Sequence, residues 1–452
     1  MMPDGAKLID PDLVAGRIAA LLRDRRAGAV RPLLAALEKL APEHPDLVLL
    51  RVSYCCLIQD TGQALNLLEE ALALQPANPM LHLTRSEIWF GRGEFARAAQ
   101  DAAEAVLLAP ALARAKSVLG LVLLKLGRFD VALPCLAESF AADPAGVDVA
   151  LALAALVPED AAVILERAIV AAPSLAVLRN ALTRRYLCAG DIAKAGWNAA
   201  QTRADGLADA ESFCLLAFVQ MQENHWEGAG VSVAQARSLT PEHPWAARLE
   251  AALAGRRTGR LDPVPQRDGL AAEQALISGG IVLPGKFRAL LEEARCCGPV
   301  LDLFCGTGLN AIAAQDVCRG PWTGVEPDPV LGRLAAERGL YARLEQGNPL
   351  DFLALAAPYP VILLNEALAY AESPLPWLDA VQRGLAPGGI ALAAIPTGRA
   401  GLSGHGLFAH GDEQIAAAAA RSGLAFSPSC CGVLRHIDGI PLRGIIASFR
   451  KL

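Results

Sequence analysis

Pro42, Pro76, Pro110 and Pro144 stand 34 residues apart, and a chain that repeats at this period stacks like units side by side. Ala64, Ala98 and Ala132 lie twelve residues before the last three prolines, and Ala71, Ala105 and Ser139 five before. Gly93 and Phe95 in Arg-Gly-Glu-Phe match Gly127 and Phe129 in Leu-Gly-Arg-Phe. Small residues let two helices approach closely, and the proline ends the second, so each unit reads as an antiparallel helix pair. Hydrophobic residues at 53% with aromatics at only 5% fit such close packing. After Pro144 the register slips, since Pro173 follows by 29 residues; it resumes at Pro241, 68 further on, with Gly190 and Ala195 in place between. The reading is five or more units after a partial first one, over roughly residues 10–254. The short unit 147–173 lacks room for two full helices, so a kink or altered pitch is expected there.

This period and placement resemble the tetratricopeptide repeat. The resemblance implies a solenoid over residues 1–255 whose concave face holds a protein or peptide partner, with a purely structural or dimerising array as the alternative. His44, His82, His225 and His243 fall in this array at no metal-ligand spacing.

Residues 255–265 break the periodicity with Gly, Pro and clustered Arg, so 256–269 reads as a linker before a second domain, 270–452. Arg256, Arg257 and Arg260 read as solvated linker residues, with phosphate binding the alternative. A helical segment from Leu270 leads through Gly279-Gly280 to a helix ending near Arg295, and such a segment is placed to cover a ligand. Val300-Leu301-Asp302-Leu303 then reads as a buried parallel strand. The turn Phe304-Cys305-Gly306-Thr307-Gly308 closes it, and a helix over 309–315 follows. Glycine lets backbone N–H groups approach a ligand closely. The strand Trp322–Glu326 ends in an acid placed to accept hydrogen bonds from both ribose hydroxyls of a nucleoside. Further strands are expected at 341–344, 361–364, 390–395 and 443–449, with helices at 374–385 and 412–422. Together they give an α/β, Rossmann-like doubly wound sheet.

The turn lacks the G-x-G-x-x-G spacing of dinucleotide sites. An acid in the first strand followed by x-x-x-G-x-G resembles motif I of class I S-adenosylmethionine methyltransferases, and Leu385-Ala386-Pro387-Gly388-Gly389 before strand five is similar to a turn of that fold. The whole chain resembles bacterial predicted methyltransferases with N-terminal tetratricopeptide repeats. The similarity includes Gly339-Leu340-Tyr341 and the run from Phe408-Ala409-His410 through Val433-Leu434-Arg435 to Pro441-Leu442-Arg443-Gly444. It implies S-adenosylmethionine as cofactor and leaves the substrate open. Under it Asp302 stands near the methionine amino group, and Cys305, Gly306, Thr307 and Gly308 form the turn. Glu326 and Pro327 meet the ribose, Asn348 and Pro349 the adenine, and Asn365 faces the transferred methyl. Two positions depart: Phe304 replaces a usual glycine, and Asn348 replaces the acid that binds the adenine amino group. Asp-Leu-Phe-Cys-Gly also occurs in RNA uridine methyltransferases, whose nucleophilic cysteine and basic surface find no counterpart here.

Methyl transfer from a sulfonium needs mainly alignment, with a base only where the acceptor must lose a proton. The candidates are Glu366 and Tyr370 after strand four, His405 in a glycine-rich stretch, 398–406, that reads as a mobile lid, and His410, where a helix start favours a neutral imidazole. Each has a plain alternative as a surface acid, loop residue or helix-end contact. Two other functions stay open: a small-molecule methyltransferase that uses the array for assembly, and a repeat scaffold with a catalytically degenerate second domain. A net charge of −6 argues against nucleic acid. Eleven scattered cysteines without C-x-x-C suggest reduced thiols and no metal. No signal-peptide core at Met1–Gly5 and no apolar span of about 18 residues point to a cytoplasmic protein off the membrane.

Overall fold

A computed structural model describes residues 10–263, 265–296 and 298–452; the Met1–Gly5 stretch, Val264 of the linker and Cys297 of the Cys296-Cys297 pair lie outside them. The chain forms two compact units, Met1–Pro173 and Ser174–Leu452.

Among the described residues the first unit is ten consecutive helices, from Pro11–Arg23 to Ala161–Ala171. Each proline of the repeat stands two residues past a helix end, as Pro76 does after Thr61–Leu74 and Pro110 after Phe95–Leu108. Ala64, Ala98 and Ala132 are wholly buried, as close helix contact requires. Gly93 and Gly127 take φ of 78° and 71° just past the first helix of their units, where the chain must turn left-handed. One period earlier Gln59 takes φ 63° without the help of a glycine. The first unit is complete rather than partial, because Asp10 accepts from the Asp12 N–H and caps a full helix. The short unit keeps both helices and shortens them to 10 and 11 residues, Val147–Leu156 and Ala161–Ala171.

Packing sets one early prediction. A Cβ on Gly120, in the helix Ala113–Lys125, would meet Leu136 Cγ at 2.6 Å. Gly120→Ala, which stabilises an open helix, is expected here to cost about 1–3 kcal/mol in thermal or denaturant unfolding.

The second unit opens with five helices, from Ala176–Ala189 to Pro244–Gly255, and continues into a mixed sheet. Its strands are β1 (Val300–Leu303), β2 (Trp322–Glu326), β3 (Arg343–Gln346), β4 (Tyr359–Leu364), β5 (Leu385–Pro396), β6 (Gly401–Leu402), β7 (Phe408–Ala409), β8 (Leu424–Ile437) and β9 (Ile440–Lys451). Seven of them pair in the order β3-β2-β1-β4-β5-β9-β8, and β6 and β7 form a separate hairpin. β1 to β5 run parallel, whereas β9 is antiparallel to β5 and to β8. The chain leaves β1 in opposite directions for β2 and β4, so a ligand crevice is expected beyond the carboxyl ends of these strands. Alternate residues feed two cores. Leu301, Leu303, Ile362 and Leu364 face the helix Leu375–Gly384, and Val300, Val361 and Leu363 face Leu283–Glu293.

The five opening helices share a third core with the α/β part. Leu187, Phe218, Val233 and Leu249 pack with Leu261, Leu402, Phe408 and Ile440. Polar contacts reinforce it: Arg184 Nε donates to the Asp438 carbonyl at 2.9 Å, and Arg248 pairs with the Asp438 carboxylate. Among the described residues no helix is long and apolar enough to cross a membrane, and no three His, Cys, Asp or Glu side chains converge as a metal site.

Candidate ligand-binding site

The glycine turn is held by acids on both sides. Asp302, at the middle of β1, is wholly buried. Its Oδ1 accepts from Asn365 Nδ2 at 2.8 Å and Asn310 Nδ2 at 3.1 Å, and its Oδ2 from the Tyr341 hydroxyl at 2.8 Å. Burial raises its pKa to about 6, and these three bonds limit the rise. Asn365 Nδ2 also reaches the Leu303 and Phe304 carbonyls at 3.0 and 3.2 Å. Asp302 and Asn365 thus bind each other and fix the start of the turn.

Glu326 closes the other side. Its Oε2 accepts from the Gly306 N–H at 2.8 Å and its Oε1 from the Asp328 N–H at 2.9 Å. The carboxylate is 4% exposed, and burial raises its pKa to about 7 although both backbone donors oppose the shift. Each oxygen keeps acceptor capacity for a ligand hydroxyl. Gly306 and Gly308 take φ of 56° and 92°. Between them Thr307 bonds Glu273 of the helix Gly269–Ser278, and Glu273 also takes two bonds from Arg338, at 2.7 and 2.8 Å. The segment ahead of β1 therefore does lie over the turn. Cys305 is buried, and desolvation pushes its thiol well above the usual range, which makes it packing rather than a nucleophile.

Phe304 explains its own oddity. It takes φ of 54°, a left-handed conformation that favours glycine. Its ring stacks on Tyr370 with centroids 4.8 Å apart and planes 12° from parallel, and it leans on Trp377 at 6.0 Å. Both Phe304→Gly and Phe304→Ala lose the ring, but only glycine also relieves the backbone. The glycine variant is expected to be the more stable by about 1–2 kcal/mol, read from paired denaturation curves; equal stability would exclude a strained φ.

Phe304, Tyr370 and Trp377 form one side of a cavity of about 490 Å³ beyond the ends of β1 to β3. Pro327, Gln346, Gly347, Asn348, Pro349 and Leu350 line it as well. Its outer wall is the segment Arg260, Leu261, Asp262 and Pro263, which follows the last of the five helices. Asn348 Oδ1 accepts from the Leu350 and Asp351 N–H groups at 2.9 and 3.3 Å, capping the helix Pro349–Leu355. This leaves its Nδ2, a donor, for anything in the cavity.

The four candidate acid–base residues are all engaged. Glu366, with φ 53° and 6% exposed, takes two 2.8 Å bonds from Arg435 of β8. Burial raises Tyr370 to about 12, so it stays protonated. His410 is wholly buried, pairs its Nε2 with the Leu368 carbonyl at 2.9 Å and has its pKa lowered by burial. Burial, rather than a helix end, is what favours a neutral imidazole here, because the helix begins two residues later at Asp412. The glycine-rich stretch is not a lid. Its Leu402 and the Phe408 that follows it enter the helical core and pair in the β6–β7 hairpin. His405 packs edge-on against Phe218 at 4.9 Å, and burial lowers its pKa to about 4. What the sequence missed were Tyr341, Glu273, Arg338 and Arg435. Tyr341 and Arg435 stand within segments already singled out, but nothing local marked their partners.

No protein-family profile matches the chain, and no curated protein matches it. Solved structures do. A tetratricopeptide repeat protein from Parabacteroides merdae is 16% identical, covering 53% of this chain and 97% of its own, with a TM-score of 0.38. An S-adenosylmethionine-dependent methyltransferase from Clostridium acetobutylicum is 14% identical, covering 40% and 97%, with a TM-score of 0.32. Streptomyces venezuelae DesVI is 15% identical, covering 41% and 100%, with a TM-score of 0.33.

Proposed function

We propose that residues 270–452 are a class I, S-adenosylmethionine-dependent methyltransferase domain, joined by 256–269 to a tetratricopeptide-like array, 1–255, that recruits a protein substrate or partner. One observation carries the reading: the Gly306-Thr307-Gly308 turn is tied to Glu326 at the end of the adjacent strand, and their chain neighbours Phe304 and Pro327 line a nucleoside-sized cavity. The residues present fit the cofactor. Glu326 would take the ribose hydroxyls, the turn would approach the amino-acid end, and Pro327, Phe304 and Pro349 would flank the base. When bound, the cofactor supplies a methyl group on a sulfonium, which needs no activation by the protein. This chain's part is then to bind, align and exclude water. Tyr370, His405 and His410 are buried in forms that take up protons poorly, and Glu366 is paired with Arg435. That favours an acceptor already nucleophilic on arrival, such as an amine delivered neutral or a carboxylate.

The test is calorimetric titration of the full chain with S-adenosylmethionine and S-adenosylhomocysteine. Micromolar binding, about 8 kcal/mol, lost in Glu326→Ala, supports the reading. A folded protein that binds neither makes the α/β domain part of a repeat scaffold, a second reading favoured by the Asn348 oxygen being committed to its helix cap.

A further inference from the structure

The cavity has a wall that the α/β fold does not itself supply. Beyond the helix Pro244–Gly255 the chain runs alongside Tyr370–Glu372 as a short antiparallel strap. The Leu261 N–H donates to the Tyr370 carbonyl at 2.9 Å, the Glu372 N–H donates to the Gly259 carbonyl at 2.9 Å, and Arg260 bridges to Ala371. In extended backbone, alternate side chains point to opposite sides. Leu261 is buried among the helices, Arg260 and Asp262 flank it, and all three line the cavity. Asp262 is exposed, and among the described residues no hydrogen bond or ion pair engages its carboxylate.

A purine amino group in this cavity needs an acceptor. Asn348 Oδ1 already takes two helix N–H groups, and Pro349 adds no N–H to this edge. The Gln346 amide can turn either end inward, so it does not tell an amino group from a carbonyl. A carboxylate only accepts, and it repels an oxygen in the same place.

The geometry points to Asp262 as the residue that reads the exocyclic amino group of the cofactor's purine, a specificity determinant carried by the strap and not by the α/β domain. This assignment rests on the cofactor reading above.

The experiment compares S-adenosylhomocysteine with S-inosylhomocysteine, which carries an exocyclic carbonyl oxygen in place of the amino group, by calorimetry on the full chain. Wild type is expected to prefer the adenosyl compound at least tenfold. Asp262→Ala should weaken it about tenfold and leave the inosyl compound within about twofold. Asp262→Asn, whose amide can donate to an oxygen, should bring the ratio close to one. If both variants, with unchanged unfolding midpoints, keep the wild-type ratio, Asp262 does not read the base. Equal weakening of both ligands would likewise overturn it, assigning the residue to the strap's fold. In either case a loss of binding in Glu326→Ala leaves the cofactor reading standing. Failure of wild type to bind either compound removes that reading and the Asp262 assignment with it.

Discussion

Glu326→Ala is expected to weaken S-adenosylhomocysteine binding at least a hundredfold, about 3 kcal/mol, at pH 8. The variant loses charged acceptors for two ribose hydroxyls and leaves the Gly306 and Asp328 N–H groups without their partner. The same carboxylate sets the pH dependence. Burial raises its pKa to about 7 in the ligand-free protein, with the neighbouring Asp328 and Asp302 charges adding to the rise. Only the ionised form accepts from two backbone donors and two hydroxyls together. Affinity should therefore be flat above pH 7 and fall by about tenfold per unit below it, with one proton released on binding near pH 6. Folding shows the opposite sense. A carboxyl raised above its unfolded value favours the native state fully below the ordinary glutamate range, and this contribution is lost as pH rises through about 7. Titrations in buffers of different ionisation heat measure the proton release, and Glu326→Gln should abolish the step. Asp302, raised to about 6, is retained in that variant and separates its own effect from that of Glu326. A pH-independent affinity in wild type would remove Glu326 from the binding site.

Much of this architecture was legible, and the reasons differ by element. The prolines and buried alanines gave the helix pairs because close packing and helix ends restrict residue type directly. β1, β2 and β4 were found because strands buried on both faces read as apolar runs. β3 lies two residues beyond its expected place, at Arg343–Gln346, because its exposed and half-buried pattern carries little periodic signal. β8 was not found at all. It is an outer strand with long exposed stretches, it holds Pro428 and Gly432, and its pairing with β9 is interrupted at two irregular points, so neither alternation nor apolar content marks it. The site divides the same way. Gly306, Gly308 and Glu326 follow from spacing within one βαβ unit, and the structure brings them together. The partners of Asp302, Glu366 and Thr307 lie between 34 and 69 residues away from them in Glu273, Tyr341, Asn365 and Arg435, and no local pattern announces such pairs. His405 was misjudged for a related reason. Glycines read as mobility, whereas Gly404 is there because a Cβ would lie 2.7 Å from Phe218.

Arg435→Met is expected to destabilise the second unit by about 3–5 kcal/mol, whereas Arg435→Met with Glu366→Leu should recover most of that loss. The pair is the most enclosed acid–guanidinium contact near the site, with side chains 20% and 7% exposed and two parallel bonds of 2.8 Å. Removing the cation leaves the Glu366 charge in a poorly solvated place, which costs more than the pair itself contributes; removing both exchanges polar for apolar packing. The pair also joins the turn after β4 to β8, and Glu366 begins the short helix Ala367–Tyr370 that carries the ring stacked on Phe304. A loosened Glu366 should therefore disturb the cavity as well as the fold. Unfolding curves of the two single variants and the double give the coupling energy, and cofactor titration of the double shows whether the pair is needed beyond holding the turn. If the double binds cofactor like wild type and transfers methyl to an acceptor at an unchanged rate, Glu366 is a structural acid. If it binds normally and transfer falls at least a hundredfold, the carboxylate acts on the acceptor, and Arg435 is the group that holds it until the acceptor arrives.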